Sequence, residues 1–127
     1  MALDSRDYLL DRFTTDAATL RTRANALRRG PAAPGPDAQT SERMAEACDK
    51  VAQLISSVPE NEPPGIMLQS LAALTMPLEE FARKEANAPA VRAVYTGAAT
   101  RIRELLDAEA SAARLRDDPS RNRQEPT

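Results

Sequence analysis

A chain of 127 residues with a net charge of −2, one cysteine and no histidine is long enough for one domain and poor in the groups that catalysis uses. The missing histidine removes the commonest general base and metal ligand, and with it every Ser-His-Asp, Cys-His and HExxH arrangement. The lone Cys48 removes an intramolecular disulfide, a zinc module and an iron–sulfur site.

Ala supplies 24 residues, whereas Leu, Ile, Val and Phe together supply 22, so the store of large core side chains is thin. A disordered chain would need a high net charge as well, and 17 basic residues nearly balance 19 acidic ones. The composition therefore predicts a small Ala-rich helical domain. No apolar run approaches the length of a membrane span, and the opening MALDSRDYLLDRF carries acids where a signal peptide needs a basic and then an apolar region. Cytoplasmic residence without membrane contact is the expectation.

The first segment places Leu9, Phe13, Ala17, Leu20, Ala24 and Leu27 at alternating spacings of four and three, which aligns them on one helical face. Asp4 or Ser5 can cap it. The stretch GPAAPGP, from Gly30 to Pro36, interrupts any helix and must be a loop. A second helix begins between Asp37 and Ser41 and carries Met44, Cys48, Val51, Ile55 and Val58 on its face. After PENEPPG (Pro59 to Gly65), Met67, Leu71, Leu74, Leu78 and Phe81 keep one phase straight across Pro77. A phase that survives a proline favours one kinked helix with its bend near Ala73, over a second helix capped by Thr75. Beyond Asn87-Ala88-Pro89, a fourth helix carries Val91, Tyr95, Ala98, Ile102 and Leu105, with Ala112 extending the face.

No run alternates with period two, so the chain is read as all-α: a four-helix up-and-down bundle whose third helix is kinked at Pro77. The expected helices cover about 4–29, 40–58, 65–87 and 89–116, giving a single domain over 1–116 and a disordered tail over 117–127.

Ile66 to Leu78 (IMLQSLAALTMPL) is apolar well beyond one stripe. Such a helix is either the centre of the core, or its surplus of Ile66, Leu68, Ala72 and Met76 faces a protein partner or a second copy. Among the cations, 15 Arg outnumber two Lys. Residues 1–30 and 89–116 each carry a surplus of two positive charges, and 31–64 a surplus of four negative ones. If the first and last helices are neighbours, Arg21, Arg28 and Arg29 join Arg101, Arg103 and Arg114 on one patch suited to a nucleic-acid backbone. The competing expectation is ordinary surface ion pairing, with acids of the second helix or at i,i+4 as in Arg12–Asp16 and Arg103–Asp107.

Glu79, Glu80 and Glu85 fall off the apolar stripe and lack the Glu-x-x-His pattern of di-iron bundles, so they read as a solvated face. Cys48 sits among core residues, where a thiol is a small hydrophobe with a raised pKa. A small apolar ligand at the Pro77 kink, near Leu74, Leu78 and Phe81, lacks a polar group to orient it. No cofactor or metal is implied. The function expected from these residues is a non-enzymatic protein–protein interaction module or small accessory subunit, self-associating or bound to another protein. The alternative is a helical subunit of a nucleoprotein complex that touches nucleic acid through its arginines.

Overall fold

The computed structural model describes residues 5–31 and 33–117. Among them there are helices and no strands: α1 (Ser5–Arg29), α2 (Ala38–Ser56), α3 (Pro64–Ala73), α4 (Thr75–Lys84) and α5 (Pro89–Asp117). Only Leu74 separates α3 from α4, so the two are halves of one bent helix and the architecture is a four-helix up-and-down bundle. The bend follows from Pro77, which has no amide to offer the Ala73 carbonyl and whose ring crowds it. The Leu74 amide donates to Leu71 O at 3.0 Å in a tighter turn, and the Leu78 amide resumes the α-helical pattern by donating to Leu74 O at 3.1 Å. Thr75 does not cap α4, because its hydroxyl donates backwards to Ala72 O at 2.8 Å.

The second helix starts earlier than its apolar stripe indicates. Asp37 is its N-cap, and Oδ1 accepts from the Thr40 amide at 2.7 Å. That bond holds the Asp37 carboxyl below its ordinary pKa. The helix also ends before Val58, whose amide still donates to Ile55 O at 3.0 Å and whose side chain is buried. At the far end of the chain Asp117 ends α5 rather than opening a tail, and residues 118–127 of the expected tail lie outside the described residues, as does the candidate cap Asp4.

The Pro-rich connection between α1 and α2 is organised by one side chain. Arg23 Nη2 donates to Pro34 O at 2.7 Å and to Pro36 O at 3.0 Å, drawing the loop onto α1. Between those carbonyls Gly35 has φ +101°, a backbone conformation that favours glycine, and a Cβ there would stand 3.0 Å from Arg23 Nη2.

Each of the four stripes faces inward, contributing among others Leu9, Phe13, Ile55, Leu71, Leu78, Tyr95 and Ile102 to a continuous core. Phe81 and Tyr95 stack at 5.3 Å between ring centres and fix α4 on α5. The centre, however, is held by α2, which packs between α1 and α5 and buries Ser41, Ala45 and Ala47 besides its stripe. The bent helix packs mainly on α5 and leaves its second face outside.

One buried charge ties the bundle's lower end together. Arg6 is 5 % exposed; its Nε donates to Val58 O at 2.6 Å and its Nη2 to Ser56 O at 3.3 Å, satisfying carbonyls at the end of α2 that no further helical turn can reach. Asp7 Oδ1 accepts from Nη1 at 2.9 Å, and Glu60 lies at 3.7 Å.

Candidate functional site

The bend decides what the third helix presents. Over α3 and the start of α4, Met67, Leu71 and Leu78 enter the core, while Ile66, Gln69, Ala73 and Met76 point outward at spacings of three, four and three. Ile66 is 50 % exposed and Met76 75 % exposed; with Tyr8 at 39 % they are the exposed large hydrophobic side chains of the described residues. Leu68 and Ala72 flank this stripe half-buried. The central-core reading of Ile66 to Leu78 therefore gives way to an outward apolar strip about 15 Å long, ten residues at 1.5 Å each. Ala73 belongs to it too, seven residues from Ile66 on the same helix and so on the same face.

Of the six candidate nucleic-acid arginines, three are ion-paired with carboxylates of neighbouring helices. Arg21 is ion-paired with Asp49, Arg28 with Glu42 at 2.7 Å, and Arg103 with Glu79. The first two pairs join α1 to α2, matching the basic first helix to the acidic second, and the third joins α5 to α4. The Arg28 guanidinium lowers the pKa of Glu42 through its hydrogen bond. Arg114 donates to Ser111 Oγ at 3.2 Å on its own helix, and Arg29 is exposed at the end of α1. Arg101 is half-buried with no carboxylate partner among the described residues. Arg12 pairs with Asp16 at 3.4 Å as its i,i+4 spacing predicts, whereas Arg103 reaches across to Glu79 instead of along the helix to Asp107.

Of the acids on the bent helix, Glu79 and Glu80 are each held by an arginine, Arg103 and Arg83, and Glu85 meets Arg43 at 3.2 Å. No group of three or more His, Cys, Asp or Glu among the described residues is placed to hold a metal. No helix among them is long and apolar enough to cross a membrane.

Sequence reasoning missed a groove of about 370 Å³ where α1 and α5 stand apart over α2, because helix spacing cannot be read from apolar periodicity. Phe13 and Leu20 line one wall, Val94 and Gly97 the other, and Met44 and Cys48 the floor, with Asp16 and Arg101 also bordering it. Cys48 is buried there, and desolvation, reinforced by the nearby Asp16 and Asp49 carboxylates, pushes its thiol up to about 11. A neutral, shielded sulfur is a poor nucleophile, so Cys48 acts there as a small apolar side chain.

Comparison of the chain with protein-family models, with curated proteins and with solved structures gives no match, so the function has to be argued from this geometry alone.

Proposed function

We propose that the chain is a non-enzymatic interaction module, a small accessory subunit that works by packing the outward face of its bent third helix on a protein. The observation that carries this reading is the strip Ile66, Ala73 and Met76, flanked by Leu68 and Ala72, in a protein otherwise short of large apolar residues. Covering the exposed half of Ile66 and three-quarters of Met76 would contribute about 1–2 kcal/mol each. Unbranched Met76 adapts to an uneven surface, and Gln69 within the strip can hydrogen-bond at its rim.

The nucleoprotein alternative is the less favoured reading, because Arg21, Arg28 and Arg103, half of its candidate contacts, are engaged by carboxylates on neighbouring helices. A phosphate would have to displace those carboxylates before it could be held by the same arginines. Affinity capture of the tagged protein from its own cells, with and without nuclease, separates the two readings. Protein partners retained after nuclease support the module. Recovery of nucleic acid alone, lost on digestion, overturns it.

A further inference from the structure

The groove between α1, α2 and α5 has features that the interaction reading does not use. Its lining runs from Phe13 to Leu20 on α1 and from Ala93 to Arg101 on α5, about 10–12 Å along each helix at 1.5 Å per residue. That is two turns, long enough for a small molecule and too short to seat a partner helix. Its volume of about 370 Å³ falls within the range of ligand sites, and Phe13, Leu20, Met44, Cys48 and Val94 make it apolar.

Thr19 and two charged groups border this apolar space, and the circumstances of the two charges differ. Asp16 is engaged by Arg12 at 3.4 Å, whereas the half-buried Arg101 has no carboxylate partner among the described residues. The planar fork of a half-buried guanidinium that no carboxylate of the described residues engages suits a carboxylate ligand held by two parallel hydrogen bonds. Gly97 adds an independent observation. A glycine inside a helix lowers its stability, and the usual reason is close packing, yet a Cβ at Gly97 would meet nothing within 4 Å. No neighbour among the described residues crowds this exposed position, and the missing side chain leaves room in the groove that Gly97 lines.

We propose that this groove binds a small amphiphilic carboxylate, with its apolar chain against Phe13, Leu20, Met44 and Val94 and its carboxylate on Arg101. The site is separate from the face of the bent helix and stands whether or not that face meets a partner.

The test uses the full chain labelled with ¹⁵N and titrated with decanoate below its micelle concentration, with decan-1-ol as the uncharged comparison. Saturable amide shifts confined to residues 13–20, 44–48 and 93–101 are expected, with decanol binding at least about tenfold more weakly for want of the charge-assisted hydrogen bonds. Arg101→Gln should bring decanoate down to the level of decanol. Gly97→Leu, which suits a helix better and whose Cβ has open space around it, should melt no lower than the wild type and lose saturable binding of both. Absence of saturable shifts overturns the proposal, as does binding that survives Gly97→Leu or that does not distinguish Arg101→Gln from the wild type.

Discussion

Arg6 provides the sharpest test of how the bundle is closed. Replacing it by Met keeps most of the aliphatic stem and removes the guanidinium that donates to Val58 O at 2.6 Å and Ser56 O at 3.3 Å. The bond to Val58 is short and buried, and a hydrogen bond from a charged donor contributes about 1.5–3 kcal/mol. The bond to Ser56 is long, and that residue is exposed, so water replaces most of it. Asp7 and Glu60 are 48 % and 74 % exposed in their side chains, and their pairs with Arg6 add little after screening. Relief of the guanidinium's own burial works the other way, since buried charges are costly even when paired.

The balance is a loss of about 2 kcal/mol. For a chain of this size the unfolding entropy is about 0.25 kcal/mol/K, so Tm should fall by about 8 °C in a thermal melt followed by circular dichroism. Arg12→Met is the control, because its exposed i,i+4 pair with Asp16 contributes only about 0.3–0.5 kcal/mol and should move Tm by about 2 °C or less. Equal melting of the two variants would refute the idea that Arg6 closes the end of α2.

Two further outcomes follow from single groups. Ser41 is fully buried and its hydroxyl has no partner among the described residues, so Ser41→Ala should raise stability by about 1 kcal/mol and Tm by about 4 °C; a drop in Tm would show that the hydroxyl is bonded. Asp37, Glu42 and Glu80 all have carboxyl pKa values lowered in the folded protein, by the Thr40 amide, Arg28 and Arg83 respectively. Their contribution is complete above the unfolded carboxyl pKa of about 4 and is lost as pH falls through the lower folded values. Tm should therefore hold steady from pH 7 to about 5 and fall below about 4. Asp37→Asn, an equally good cap that does not titrate, should melt normally at pH 7 with a shallower acid decline; an unchanged acid slope would contradict the assignment.

Apolar spacing alone was enough to place four helical stripes, all of which face the core, and to keep the third in one phase across Pro77. Phase is a local property that a helix cannot hide. What escaped depends on distances between helices. Nothing in the spacing distinguishes α2 as the central helix, because its extra buried positions are Ser41, Ala45 and Ala47, small or polar residues that carry no hydrophobic signal. The gap between α1 and α5 is equally silent, although Gly97 within α5 was a visible irregularity that local packing could not explain.

Charges followed the same division. The segment balance, basic in the first helix and acidic in the second, anticipates the Arg21–Asp49 and Arg28–Glu42 pairs. Arg6 and Arg23 gave no signal, because each hydrogen-bonds backbone carbonyls brought near by the fold, Val58 for one and Pro34 with Pro36 for the other.

The claim that the outward face of the bent helix is the working surface is tested most directly by the double variant Ile66→Glu, Met76→Glu. Both side chains are exposed, so the variant should keep the wild-type circular dichroism spectrum and a Tm within about 2 °C, as expected of surface substitutions. Captured from the same cells beside the wild type, after nuclease treatment and with light-scattering mass measured on each, it should lose the protein partners or the self-association that the wild type displays. A correctly folded double variant that retains the same partners and the same mass would contradict the account.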